Sequence, residues 1–294
     1  MIGEVKQILS VSRRTDIPAF YMTWFMDQVS QGFIQVVNPF NRQVKRVAVS
    51  PERIHAMVFW SKNFGPFLAG RYGEHLQDKG YHLFFNFTVN SRSPILEPGV
   101  PDLDQRLGQL RQLCQRFGSA SVQWRFDPIC HFMTPAGDVK TNLDDFDTIA
   151  SAAGECGIDT CTTSFMDHYR KIERRTRNKI AFVEPPLVEQ VEILLNLEKT
   201  LSSLGIGLSL CCEKQVLAQL PAESTIKAGA CISGLRIMAV HGGRLSLRQD
   251  SGQRKASGCG CTVSVDVGSY DLHPCHHNCQ FCYANPASDQ RRHQ

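Results

Sequence analysis

No run of about eighteen consecutive apolar residues occurs in this chain, so the sequence holds no candidate for a membrane-spanning helix. Its opening stretch, MIGEVKQILSVSRRTDIPAF, has no apolar signal core followed by a small-residue cleavage site, and the expected location is cytoplasmic. Excess charge is scarce too: the net charge is +4 over 294 residues. That does not argue for a nucleic-acid partner, although it leaves room for a local basic patch. No Gly/Ser linker, low-complexity block or internal repeat divides the chain. The phosphate-loop pattern G-x4-G-K-[ST] and the nucleophile elbow G-x-S-x-G are both absent, and GIGLSL ends a helix where a dinucleotide fingerprint would begin one. Trp24, Trp60 and Trp124 are too scattered to form a base-stacking platform.

What remains is an ordinary globular composition, 42% hydrophobic and 20% charged, long enough for one large domain or two ordinary ones. Up to about residue 210, short β-rich runs alternate with helical spacing. ILSVS (8–12), IQVVN (34–38), AMVFW (56–60), HLFFNFTV (82–89), SVQWRF (121–126), TCTTSF (160–165) and IGLSL (206–210) read as strands. Between them, Leu103, Leu107, Leu110, Leu113, Cys114 and Phe117 share one helical face that stops at Gly118. Phe146, Ile149, Ala150 and Ala153 share another, and EPPLVEQVEILLNLEKTLSSLG runs from two prolines to Gly205. Such alternation predicts an α/β fold, a full or partial (β/α) barrel of parallel strands with crossover helices. Composition shifts near Gly252, where SGQRKASGCGCTVSV begins. The expected division is a barrel-like domain over 1–251 and a metal-folded segment over 252–294, packed on the barrel mouth.

Polar residues gather where strands end: SRRTD (12–16), WSKN (60–63), WRFD (124–127) and SFMD (164–167). Parallel β/α folds collect functional groups at those ends. Arg13, Arg14, Asp16, Lys62, Asn63, Arg125, Asp127 and Asp167 are therefore expected to share one mouth. RRTRNK (174–179), a basic run, reads as a solvated helix end or loop.

Twelve cysteines are many for a reducing compartment, which disfavours disulfides. Cys114, Cys130, Cys156 and Cys161 stand singly and read as small core residues. The other eight crowd the last third of the chain. Cys275, Cys279 and Cys282 have C-x3-C-x2-C spacing with no fourth cysteine nearby. Structural zinc wants four ligands, and so does a closed cluster. Three thiols in one short loop suit a cubane cluster held at three corners, with the fourth iron open. His273, His276 and His277 offer an alternative, a zinc site built with the same cysteines. Farther back, Cys259-Gly-Cys261 sits between glycines, Cys231 lies in a glycine-flanked turn, and Cys211 and Cys212 end a strand. One of that pair with the other three makes four thiols, enough for a second [4Fe-4S] cluster or a zinc ion. Iron–sulfur is preferred for economy with the first site and for thiolate softness.

CHHNCQFC resembles the C-x3-C-x-aromatic-C signature of radical S-adenosylmethionine (SAM) enzymes. That resemblance implies a [4Fe-4S] cluster on Cys275, Cys279 and Cys282, with SAM chelated to the unique iron. An electron, from a donor such as flavodoxin or ferredoxin, then cleaves SAM to a 5′-deoxyadenosyl radical. It also implies that Phe281 lies against the adenine. By charge and placement, Arg13, Arg14, Lys62 and Arg125 are expected to hold the SAM carboxylate or an anionic substrate, with Lys62 and Arg125 on the cofactor, and Asp16 and Asp127 to hold the ribose hydroxyls or the amino group. In that superfamily the motif follows the first barrel strand. Here it follows TVSVDVGSY (262–270), so a circularly permuted arrangement is expected. The ordered set SRRTDIPAFY, VNPFN, VFWSKN, WRFDPI, SFMDHYRK, Cys211–Glu213, CISG, CGC and SVDVGSYD resembles, over nearly the whole chain, an uncharacterised bacterial family with a radical-SAM-type tail, known only as a domain of unknown function. In that resemblance a cysteine two residues before a glutamate recurs, which selects Cys211 over Cys212 as the fourth ligand beside Cys231, Cys259 and Cys261. This tail departs from the family pattern in its longer Tyr270-to-Cys275 interval, in His276, and in Asn278, which tolerates the left-handed backbone that glycine would adopt. VFWSKN is also similar to a strand end in spore photoproduct lyase, a radical enzyme acting on DNA. The expected function is thus a radical SAM enzyme. The alternatives are a non-catalytic protein stapled by zinc or a closed cluster, and a radical enzyme acting on nucleic acid.

Overall fold

The computed structural model describes residues 6–38, 41–177, 179–284 and 286–287; Pro39 and Phe40 of VNPFN, Asn178 of RRTRNK, and Asn285 and 288–294 of the tail lie outside them. The strands are β1 (Gln7–Val11), β2 (Phe33–Val37), β3 (Val44–Ala48), β4 (Ile54–Ser61), β5 (His82–Thr88), β6 (Val122–Ile129), β7 (His131–Met133), β8 (Val139–Thr141), β9 (Thr160–Phe165), β10 (Ala181–Val183), β11 (Gly207–Leu210), β12 (Lys227–Ala228) and β13 (Val265–Asp266). The helices are α1 (Ile17–Phe20), α2 (Met22–Gln31), α3 (Gly65–Ala69), α4 (Tyr72–Asp78), α5 (Leu103–Phe117), α6 (Phe146–Glu155), α7 (Arg170–Thr176), α8 (Leu187–Ser203), α9 (Lys214–Leu217) and α10 (Gly234–His241).

Eight parallel strands form the central sheet in the order β12-β11-β9-β6-β5-β4-β1-β13. With β13 counted first, the order across the sheet is the order along the chain. The strand before the tail thus lies beside β1, where a permuted arrangement needs it. Stepping always to the next neighbour, with crossovers of one hand, sends the helices to one face. The closed form of the barrel is not observed: among the described residues β12 and β13 are the sheet's edges and share no ladder. Both are two residues long, too short to build one. IQVVN also falls elsewhere, pairing as β2 with the adjacent β3 in a separate antiparallel ribbon. Its alternation suits either sheet, and VKRVA next door supplies the nearer partner.

Alternate residues divide between the faces. Leu9, Val11, Met57, Phe59, Phe85, Phe87, Trp124 and Phe126 pack outward against the helices, meeting Phe25, Phe64, Phe67, Leu110 and Ile149. Each fully buried ring contributes about 1.5–3 kcal/mol. On the inner face Ile8, Ala56, Val58 and Phe84 meet Ile237 of α10 and the cysteines Cys231, Cys259 and Cys261. Toward the carboxyl ends that face turns polar: the register aligns Trp60 with Asn86 and Gln123, and Thr88 with Arg125 and Thr162. α5 ends where Gly118 takes φ 84°, and α8 runs from Pro186 to a stop before Gly205 at φ 70°, as their sequences predict.

Glu198 on α8 fastens the β11–β12 connection. Its carboxylate accepts from Thr225 N (2.6 Å), Thr225 Oγ1 (2.7 Å) and Ser224 Oγ (3.0 Å). Burial pushes its pKa up, but these donors outweigh it and hold the group below the usual glutamate range. The folded pKa is the lower one, so the stabilisation is present above the unfolded value and is lost as pH falls through the folded one. Glu198→Gln is expected to cost about 1–2 kcal/mol at neutral pH. In denaturant titrations the gap between variant and wild type should close as pH drops below about 4.

Candidate functional site

β13 delivers the tail to the mouth. Asp266 accepts from Ser10 Oγ (2.6 Å) and Arg13 N (2.8 Å) and pairs with Arg14 Nε (3.2 Å), and Val267 N donates to Ser10 O. The chain then wraps across the strand ends and is pinned from two sides. On one side His277 is almost wholly buried, with Nδ1 2.9 Å from Gly99 O and Nε2 2.8 Å from Asp16 Oδ2. Gly99 N donates back to His277 O. A Cβ on Gly99 would stand 2.5 Å from His276 O and 2.9 Å from His277 Cα, so only glycine lets the two backbones approach this closely. Tyr21 Oη donates to Pro274 O (2.6 Å), and the His273 ring lies 4.2 Å from that of Trp24.

On the other side stands Arg175 of α7, 4% exposed. Its guanidinium donates to the carbonyls of Cys279 (3.3 Å), Gln280 (3.1 Å), Cys282 (2.8 Å) and Ala284 (3.5 Å). One side chain thereby gathers the backbone of the last cysteine turn. Asn278 adopts φ 54°, the left-handed conformation expected of it. Phe281 is buried with Leu96, Cys130, Phe132 and Ile180, so its ring anchors the loop.

Cys279 is buried, and Cys275 and Cys282 are half-buried. Burial pushes Cys275 up to about 12, Cys279 well up and Cys282 up, and the thiolate charges of the three disfavour one another. Burial therefore favours the neutral thiols in the metal-free loop. Among the described residues, no three His, Cys, Asp or Glu side chains already stand as the ligand set of a single ion. Of the histidines that offered a zinc alternative, His277 is an anchor with both ring nitrogens partnered, buried His273 accepts from Ser269 N through Nδ1 (3.1 Å), and exposed His276 lies with Nε2 3.5 Å from Tyr21 Oη. Three thiols remain as the loop's donor set, which fits a cluster bound at three corners.

The strand-end residues divide into two groups. Asp16 caps α1 through Ala19 N and also accepts from Ser61 Oγ, Lys62 N and His277, so the fold occupies its oxygens. Asn63 Oδ1 accepts from Gly65 N and Gln109 Nε2. Arg14 holds Val37 O, Gly268 O and Asp266. Asp167 pairs with Arg254 at the surface. These four build the mouth. Arg13, Lys62, Arg125 and Asp127 line it. Lys62 Nζ lies 2.6 Å from Glu97 Oε1 and 5.2 Å from the Phe281 ring centre. Arg13 and Arg125 both lie over the Trp60 ring, 5.4 Å and 5.0 Å from its centre. Arg125 pairs with Asp127 Oδ2 at 2.5 Å, and Ser164 Oγ donates to Asp127 Oδ1 (2.6 Å). Glu213, beyond β11, accepts from Phe165 N and is pushed by burial up to about 7.

The second cysteine set does assemble, and with one more member than the sequence suggests. Cys211 Sγ lies 3.7 Å from both Cys212 Sγ and Cys231 Sγ. Cys231 donates to Cys211, and Cys261, buried beside Cys231 and Cys259, receives Ile232 N (3.4 Å) and is held well below the usual thiol range. Cys212, at φ 66°, turns toward Cys259 and joins the group.

Sequence reasoning missed Arg175, Glu97, Gly99 and the role of Trp60, and it weighed Cys212 only as the alternative to Cys211. Of these only Arg175 carried a signal, and the basic run around it reads equally well as solvated. Residues 8–284 match the family described as "Domain of unknown function (DUF1848)". No curated protein matches the chain.

Proposed function

The chain belongs to the DUF1848 family, a domain of unknown function, and on that premise we propose that it is a radical SAM enzyme with a [4Fe-4S] cluster on Cys275, Cys279 and Cys282. The supporting observation is the loop itself: three thiols on a backbone pinned by Arg175 and His277, with both ring nitrogens of His277 engaged elsewhere. Such a cluster, when bound, supplies the electron that cleaves SAM. The protein's own part is to hold the reactants. Lys62, Arg13 and Arg125 offer buried positive charge to the SAM carboxylate or an anionic substrate. An anion at Lys62 must compete with Glu97, which favours a small, strongly charged group over a bulky one. Asp127, engaged by Arg125 and Ser164, orients the Arg125 guanidinium, and Glu213, pushed up to about 7 by burial, can hold or release a proton near neutrality. The electron comes from a donor of the flavodoxin or ferredoxin kind.

The test is anaerobic. Protein loaded with iron and sulfide, reduced with dithionite and supplied with SAM, should release 5′-deoxyadenosine. Fully loaded, reduced protein that releases none would overturn the proposal.

A further inference from the structure

The buried thiols outside the tail loop call for a different ligand from the tail's. We infer that Cys211, Cys231, Cys259 and Cys261 bind a single tetrahedral zinc ion, which joins the two open edges of the sheet. The inference deepens the reading of the second cysteine set given above, and replaces its iron–sulfur preference with one drawn from the contacts.

Spacing is the first argument. A tetrahedral ion with Zn–S bonds of 2.3 Å brings its sulfurs within about 3.8 Å of one another. Cys211 Sγ and Cys231 Sγ are 3.7 Å apart. Cys231, Cys259 and Cys261 are buried in one cluster with Cys211 packed against it. A four-iron cube needs the opposite, one thiolate on each of four separate irons, with no two ligand sulfurs in contact. In the metal-free fold these thiols are packed together in one cluster, and replacing their protons by one ion would draw the sulfurs inward.

Charge is the second. Four thiolates around Zn2+ carry a net charge of minus two. Two buried guanidinium groups flank the nest: Arg13 interacts with Cys261 and Cys231, and Arg125 with Cys231 and Cys211. Among the described residues Arg13 Nη2 and Arg125 Nε are buried without a hydrogen-bond partner. Each arginine also pairs with a carboxylate, Arg125 with Asp127 and Arg13 with Asp250, so what they offer the nest is a buried spare N–H apiece rather than two uncompensated charges.

Position is the third. Cys211 follows β11 and Cys231 follows β12, at one edge of the sheet; Cys259 and Cys261 precede β13, at the other. The two segments already touch, through Thr262 N to Ile232 O (2.9 Å) and Gly234 N to Thr262 Oγ1 (3.1 Å). A Cβ on Gly260 would stand 2.9 Å from Gly229 O. The nest occupies the place where a closed barrel would have a β12–β13 ladder. Cys212, 3.7 Å from Cys211 Sγ, is the alternative to Cys211 as fourth ligand, and the Cys212→Ser variant below decides between them.

The full-length triple variant Cys275→Ala/Cys279→Ala/Cys282→Ala removes the tail ligands and isolates this site from the radical proposal. Elemental analysis should find one zinc per chain in colourless protein. Stripped by chelator and titrated with Co2+, it should develop the visible absorption of tetrahedral cobalt thiolate. Adding Cys231→Ser should weaken metal binding at least a hundredfold, whereas adding Cys212→Ser should leave it within a few fold. Four irons with sulfide in the triple variant, or no metal and no cobalt spectrum, would overturn the inference; loss of metal in Cys212→Ser would overturn the ligand assignment. Should Cys231→Ser not fold, the cobalt titration of the triple variant alone decides. A wild type that fails to cleave SAM leaves each of these readings unchanged.

Discussion

Cys275→Ala, Cys279→Ala and Cys282→Ala should each give a folded protein that lacks the brown colour of a tail cluster and releases no 5′-deoxyadenosine. The expected loss of activity is complete, because a cluster with two protein ligands is not held in place. The expected loss of stability is small, about 1 kcal/mol or less for the half-buried Cys275 and Cys282 and somewhat more for buried Cys279. The contrast follows from where the fold's energy lies. The core is the helix-facing side of the sheet, with Phe59, Phe64, Phe85 and Phe87, and no tail cysteine belongs to it. Circular dichroism and denaturant midpoints check the fold; iron content and nucleoside release check the site. Variants that keep wild-type iron and product would sink the assignment. Variants that unfold outright would instead favour a stapling role for the metal.

Arg175→Ala should do what the cysteine variants do, without removing a ligand. Its guanidinium is buried and donates to four carbonyls of the cysteine turn, hydrogen bonds strengthened by charge. Deleting it leaves those acceptors short of partners in a dry site, at a cost on the order of 3–5 kcal/mol of local stability. The loop around Cys279 and Cys282 should loosen while the sheet stays intact. Amide exchange should rise steeply across residues 275–284 and little elsewhere, and iron loading should fall by at least about tenfold. Arg175→Lys should rescue only partly, since an ammonium group cannot span the set of oxygens that the planar fork reaches. Exchange and iron content equal to wild type in the alanine variant would rule out the clamp.

Much of the framework was legible in the sequence. AMVFW, HLFFNFTV, SVQWRF and TCTTSF are β-rich runs buried on both faces, a pattern that only a covered parallel sheet produces. Gly118 and Gly205 marked helix ends because their positive φ is costly for other residues. The C-x3-C-x2-C spacing drew attention to the tail because ligand spacing is local. What was not legible depends on partners far along the chain. Arg175 lies within RRTRNK, and nothing local tells a solvated arginine from one buried beneath a loop that arrives about a hundred residues later. Asp16, Asn63 and Arg14 share the strand-end position of Lys62 and Arg125, yet the fold consumes their polar atoms in caps and loop contacts. Whether the barrel closes rests on two strands of two residues each, below what periodicity can resolve.

The placement of β13 beside β1 has a consequence for how the protein is made. Chains emerge amino end first, and folding begins before synthesis ends. Asp16, Lys62, Gly99 and Arg175 all leave the ribosome ahead of the three thiols that they surround. The receptor for the cysteine loop can thus be standing when the loop arrives, and loading with iron and sulfide, on the reading proposed above, would be a late event. Until then β1 is a bare sheet margin with apolar side chains on both faces, open to pairing with another nascent chain. Cells slowed at the end of translation should accumulate this protein as aggregate, whereas cells starved of iron should accumulate it as folded apoprotein.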